Sequence, residues 1–190
     1  MLKKVNDILR SGGVIAFPTD TVWGIGCLPQ CQLAVQRIYD IKKREKQKPL
    51  ILMSYDINSL LPYIDHPFPQ QADILMKKYW PGALTLVVQK SRKTPGYLTS
   101  NKDTVGIRVP DNNVFAQICR SISGHVLATT SANISGEVPA LTYQEAMAYI
   151  GDKVDFVVPY EQKISQRAST VVGIKNEKIT IFRQGDVIVE

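Results

Sequence analysis

Val14-Ile15-Ala16-Phe17-Pro18-Thr19-Asp20-Thr21-Val22-Trp23-Gly24-Ile25-Gly26 sets the frame of this chain. Four apolar residues ending at a proline read as a short buried strand, because proline has no N–H with which to extend a ladder. Two threonines, an aspartate, an aromatic ring and two glycines follow at once. In α/β proteins the segment just past the carboxyl end of a strand is where ligand crevices form. The run is therefore a candidate site for a small polar ligand. A strand-to-helix turn capped by Thr or Asp is the competing reading.

On the amino side, Leu2, Val5, Ile8 and Leu9 form a helical stripe that stops at Gly12-Gly13. On the carboxyl side, Ala34, Ile38 and Ile41 mark a helix that runs into a basic cluster, and Pro49–Met53 reads as the next strand. Ala72, Leu75, Met76 and Tyr79 give a helical face, and Leu84, Leu86 and Val88 a strand. Val105, Ile107 and Val109 alternate with Gly106 and Arg108, which puts Arg108 on the face opposite the apolar residues. Arg108→Lys, which keeps the charge and loses no apolar burial, is accordingly expected to leave the melting temperature almost unchanged. Phe115, Ile118, Cys119 and Ile122 line a further helix; Val126-Leu127-Ala128 is a strand that leads into a polar loop. Thr142 and Glu145 make a capping box, Phe156–Val158 a strand, and Ser169–Ile174 with Ile179–Arg183 a hairpin through the turn Lys175-Asn176-Glu177-Lys178. This alternation is the signature of an α/β fold, and 190 residues fit one domain over 1–190.

Composition narrows the function. The chain is 44% hydrophobic and 21% charged, with a net charge of +6, which excludes wholesale disorder and favours an anionic partner. No stretch approaches the ~20 apolar residues of a membrane span. The opening Met1-Leu2-Lys3-Lys4 has no apolar signal core, so a cytoplasmic location with reduced thiols is expected. Cys27 and Cys31 have C-x3-C spacing, but neither His66 nor His125 stands at motif distance, so no metal site is expected.

The common catalytic and nucleotide motifs are missing. Gly24-Ile25-Gly26 has no third fingerprint glycine, and there is no G-x4-G-K-[ST], G-x-S-x-G or H-E-x-x-H. Hydroxyls and cations remain. Lys42–Lys48 packs five basic residues and one acid into seven positions; such a run suits a triphosphate or a nucleic-acid backbone, or is simply a solvated helix end. Ala128–Gly136 holds four hydroxyls and an amide after a strand, where they can donate to carboxylate or phosphate oxygens or merely form a turn.

The combination is more specific than its parts. P-T-D-T-V-x-G-I-G, K-x-R then K-P-L, G-I-R-V-P, S-A-N-x-S-G and S-T-V-V occur in that order from about Val14 to Gly185. This pattern resembles the YrdC-like (TsaC type) threonylcarbamoyl-AMP synthases, in their short form without an extra C-terminal domain. The resemblance implies a single-domain, open, twisted mixed sheet with flanking helices and a concave basic cavity. It implies a nucleotidyltransferase that makes L-threonylcarbamoyladenylate and pyrophosphate from L-threonine, bicarbonate or CO2, and ATP with Mg²⁺. A downstream threonylcarbamoyl-transferase complex acting on tRNA, and RNA contact through the cavity, are implied with it. Carried over by motif, threonine binding falls on Thr21, Arg108, Ser131 and Ser169. ATP binding falls on Lys42, Arg44, Lys48, Thr104, Thr129, Asn133 and Arg183, with Lys42 and Arg44 supplying charge stabilisation. Trp23, Glu45 and Met53 depart from the family's usual residues, and Arg167-Ala168 precedes Ser169 in a variable approach.

With no nucleophile or general base evident, rate must come from positioning and electrostatics. Two other readings stand beside this one: a non-enzymatic RNA-binding module, supported by the charge but lacking a stacking motif, and carbamoyl-adenylate chemistry on a different acceptor.

Overall fold

The computed structural model describes residues 1–160, 164–175 and 177–189. Its frame is one nine-stranded mixed sheet in the order β7-β1-β2-β6-β3-β5-β4-β8-β9. The strands are β1 (Ile15–Phe17), β2 (Gly24–Cys27), β3 (Ile51–Ser54), β4 (Leu84–Gln89), β5 (Thr104–Arg108), β6 (Val126–Ser131), β7 (Phe156–Val157), β8 (Thr170–Lys175) and β9 (Lys178–Arg183). The helices are α1 (Leu2–Arg10), α2 (Gln32–Lys42), α3 (Gln70–Tyr79), the short α4 (Gly96–Thr99), α5 (Asn113–Ser121) and α6 (Tyr143–Ile150). The β1–β7, β3–β5 and β4–β8 pairs are parallel, and the other five are antiparallel.

The two faces of the sheet carry different chemistry because side chains alternate along each strand. On one face Leu52, Leu86, Ile107, Ala128 and Val172 join a continuous core with Ala34 and Ile38 of α2, Leu75 of α3 and Ile150 of α6. On the other, Ile15, Phe17, Met53 and Leu127 pack under Val5 and Leu9 of α1 and Val114, Phe115 and Ile118 of α5. Helices α1 and α5 cover only part of that face. Beyond them a row of register partners stays uncovered: Thr129, Ile51, Gly106, Val87, Gly173 and Thr180. Two glycines in this row keep the floor low. A Cβ on Gly106 would lie 2.7 Å from the Ile51 side chain, nearer than packed carbon atoms approach.

Local signals explain the ends of several elements. Thr142 accepts from Glu145 N at 3.1 Å, as a capping box requires, while Glu145 Oε2 accepts from Leu141 N one residue earlier than the reciprocal bond of the motif. Asn112 caps α5 by accepting from Phe115 N.

Two loops expected from sequence are strands instead. Gly24-Ile25-Gly26 is not a flexible turn but part of buried β2, the return strand of a hairpin with β1. Glycine is needed there because the Phe17 ring lies across it: a Cβ on Gly26 would sit 3.1 Å from that ring and 3.0 Å from Ala128 O. The hydroxyl-rich loop likewise begins later than expected, since Thr129, Thr130 and Ser131 complete β6. Asn176, in the expected hairpin turn, lies outside the described residues.

Candidate active site

The uncovered face is the floor of a cavity of about 640 Å³, a usual size for a small-molecule site. Five cations line it, Arg44, Lys102, Arg108, Lys175 and Arg183, and among the described lining residues there is no Asp or Glu. A cavity so charged selects anions.

Arg108 holds one end. Its strand position directs it to the cavity face beside Met53, its register partner on β3. The guanidinium is 3% exposed. Nε donates to Gly82 O at 2.9 Å, NH1 to Thr21 Oγ1 at 3.0 Å and NH2 to Asp20 Oδ1 at 2.5 Å. Burial lowers its pKa while the Asp20 charge raises it. Three of its five N–H groups are engaged, leaving one on each terminal nitrogen for a second acceptor. A planar fork of this kind matches a carboxylate.

Thr21 is fixed by the loop that opened the sequence reading. Thr19 Oγ1 donates to Val22 O at 2.6 Å and accepts from Thr21 N at 3.1 Å. With its single proton spent, Thr19 can only accept from the Thr21 hydroxyl 3.1 Å away. Thr21 Oγ1 therefore presents an acceptor, not a donor, to the cavity. Trp23, which follows, is 1% exposed and packs near Tyr143; it is largely core and borders the cavity only at its edge.

The opposite wall comes from β4, β8 and β9. Ser169 Oγ lies 2.8 Å from Thr85 Oγ1. Arg183 donates through Nε to Ser169 O at 3.0 Å and through NH2 to Ser169 Oγ at 3.3 Å. Burial and then the charges of Arg108 and Arg44 lower the pKa of Arg183. Arg44, Arg108 and Arg183 all border the one cavity, so like charges face a shared volume and a bound anion relieves their repulsion. Arg44 is anchored by Nε to Lys48 O and by NH2 to Pro49 O, leaving NH1 for the cavity.

Of the eleven site residues expected from sequence, Thr21, Arg44, Thr104, Arg108, Thr129, Ser131, Ser169 and Arg183 line this cavity. Three do not. Lys42 is 1% exposed, and its Nζ donates to Ser131 O at 2.5 Å, Asn133 O at 2.7 Å and Asn133 Oδ1 at 2.8 Å. All three protons are used, so none is left for a phosphate. Asn133 is equally engaged: Oδ1 also accepts from Ser131 Oγ, and Nδ2 donates to Glu137 O. Lys48 points its ammonium at solvent beside Glu45, and contributes its carbonyl, which Arg44 and Tyr39 both bind.

This distinction fixes a prediction for the basic run. Arg44→Ala should weaken ATP binding roughly tenfold to a hundredfold, the worth of one charge-assisted hydrogen bond. Lys46→Ala and Lys48→Ala should change it little, because an exposed pair contributes at most about 1 kcal/mol. Titration of the three variants with ATP checks this; equal losses would mean that the run acts only as a diffuse positive surface.

Sequence reading missed Thr85, Lys102, Lys175 and Phe182. Thr85 had a usable signal, since it alternates with buried Leu84 and Leu86 and so must face the other side. Lys175 lies two residues beyond Gly173 on β8 and shares its face.

A family model, Sua5/YciO/YrdC, described as "Telomere recombination", matches residues 7–185. A threonylcarbamoyl-AMP synthase of Idiomarina loihiensis is 37% identical over 168 residues, covering 88% of this chain and 90% of that protein. One from Vibrio cholerae is 36% identical over 187 residues, 97% of each. P. abyssi Sua5, solved complexed with L-threonine, superposes with a TM-score of 0.91 at 29% identity; it covers 97% of this chain, which spans about half (54%) of the Sua5 chain. E. coli YciO superposes with a TM-score of 0.84 at 25% identity, covering 98% of this chain and 91% of that one.

Proposed function

The chain belongs to the Sua5/YciO/YrdC family, and from that premise we propose how its cavity works. The protein is an L-threonylcarbamoyladenylate synthase, a nucleotidyltransferase that joins L-threonine, bicarbonate and the adenylyl group of ATP. The observation that carries this reading is a cavity whose described lining includes five cations and no carboxylate, in which a buried arginine fork stands apart from a second cationic wall.

Arg108 receives the threonine carboxylate on its two spare N–H groups. Thr21 Oγ1, an obligatory acceptor, takes a hydrogen bond from the substrate's N–H or hydroxyl. Bicarbonate takes up a proton and gives CO2 and water; the neutral threonine amine then forms an N–C bond to that CO2 and releases a proton, leaving the carbamate. A carbamate oxygen then attacks the α-phosphorus; the new O–P bond forms as the bond to the β-phosphate oxygen breaks, and pyrophosphate leaves. Arg44 and Arg183 offset the charge of the triphosphate and of the leaving group. Ser131 and Ser169 shape the space between the two substrates. The described residues include no group of three His, Cys, Asp or Glu able to hold a metal ion, so Mg²⁺ enters with ATP as part of the substrate and no step is assigned to it.

The adenylate is a mixed anhydride that hydrolyses readily, so it is consumed by a transferase acting on tRNA. The cationic cavity supports contact with that RNA. Among the described residues no helix is long and apolar enough to cross a membrane. The test is product formation: pyrophosphate release and an adenylate detected by mass should require threonine, bicarbonate and ATP together. Turnover without threonine would support a different acceptor, and salt-sensitive RNA binding without any turnover would support the binding-module reading.

A further inference from the structure

The edge strand β9 carries an irregularity that the mechanism above does not use. Gly173 pairs with Thr180 and Val172 with Ile181, but Val171 pairs with Arg183. Phe182 is the extra residue of a β-bulge. A bulge sets two consecutive side chains on the same face of the sheet, and both Phe182 and Arg183 line the cavity. Phe182 is nevertheless 63% exposed. Its ring rests on the Gly173 backbone, where a Cβ would come within 2.5 Å of it. One side of the ring is thus seated on glycine, and much of the remainder is open beside the cations that line the cavity.

We propose that Phe182 is the platform on which the nucleobase of ATP stacks. This assignment rests on the synthase reading above. Of the substrates, only ATP brings a planar aromatic surface, and the only large exposed aromatic among the described lining residues is Phe182. The neighbouring Arg183 faces the phosphates, so base and triphosphate are read by adjacent residues. Ser169, which immediately precedes β8, and Gly173 on it are four residues apart, or about 13 Å at strand rise, which is on the scale of an extended nucleotide. The base therefore lies over Gly173, and the α-phosphate approaches the Ser169 and Arg108 end where threonine binds.

Titration calorimetry of the full chain with ATP and, separately, with inorganic tripolyphosphate tests the proposal. Phe182→Ala should weaken ATP binding roughly tenfold to a hundredfold, the range for removing one aromatic partner of a base. It should leave tripolyphosphate binding unchanged. Phe182→Tyr should retain ATP affinity, and Phe182→Leu, which covers Gly173 without a π-face, should fall between. Circular-dichroism melts of all three confirm that the fold is kept. Unchanged ATP affinity in Phe182→Ala, or an equal loss for ATP and tripolyphosphate, overturns the platform while leaving the synthase intact. Wild-type protein that binds no ATP overturns both.

Discussion

Replacing Arg108 with methionine should lower the unfolding free energy by about 3–5 kcal/mol and abolish adenylate formation. The stability loss follows from Asp20. Its carboxylate is 15% exposed and bonded to a guanidinium that is 3% exposed. Removing one member of such a pair strands a desolvated charge, and that penalty, rather than the net worth of the pair, sets the cost. Gly82 O and Thr21 Oγ1 lose a donor at the same time. Sequence alternation correctly put Arg108 opposite the apolar core. It gave no hint of Asp20, the partner that makes removal of the charge costly while Arg108→Lys keeps a cation beside it. Arg108→Met combined with Asp20→Asn should regain much of the lost stability, because neither charge is then left unpaired. Activity should stay absent in the double variant, since nothing replaces the carboxylate fork. Denaturant unfolding and pyrophosphate release measured on the four proteins of this cycle separate the two roles. A stable, inactive single variant would mean that Arg108 serves only the substrate; an unstable double variant with restored turnover would place the threonine site elsewhere.

The same contrast shows what the chain reveals before it folds. Thr21, Arg108 and Ser169 were legible because each sits in a short motif at a strand or its end, whereas Arg183 stood alone on a strand and was placed only by the family resemblance. Their meeting depends on register between β3, β5, β4, β8 and β9, which no local spacing encodes. Lys42 and Lys48 were misplaced for a different reason. A run of charges shows density but not direction. The helical phase held the missing information: Lys42 lies four residues after Ile38 and seven after Val35, both buried on α2, so its side chain had to turn inward. The glycines of β2 stand in a stretch that reads as a ligand crevice or a turn, although their cause is a single ring, Phe17, packed across the strand. The bulge at Phe182 had no signal in the sequence because bulges are set by tertiary pairing.

Lys42 is the residue whose pH behaviour should be the most distinctive. Its ammonium is buried among oxygens that carry no formal charge, two carbonyls and the Asn133 amide. Burial, with the Arg44 charge adding to it, pushes its pKa from 10.5 down to about 7. The unfolded chain then binds a proton that the folded chain has released at every pH between about 7 and 10.5. Stability contributed through this group therefore rises with pH across that window and is flat below it, where both states are protonated. The slope limit is about 1.4 kcal/mol per pH unit, so between pH 7 and 9 wild type should gain about 1–2 kcal/mol relative to Lys42→Met, in which the group is gone. Function should move the other way. A neutral amine has two N–H groups for three acceptors, so Ser131 and Asn133 are held less firmly as the proton leaves, and kcat/KM should fall over the same range. Lys42→Met should lower kcat/KM at every pH and lose this titration. Denaturant melts and initial rates from pH 6 to 9.5 on both proteins provide the measurement. Parallel stability curves for the two proteins, or activity in wild type that rises with stability, would show that the ammonium does not hold the Ser131–Asn133 turn.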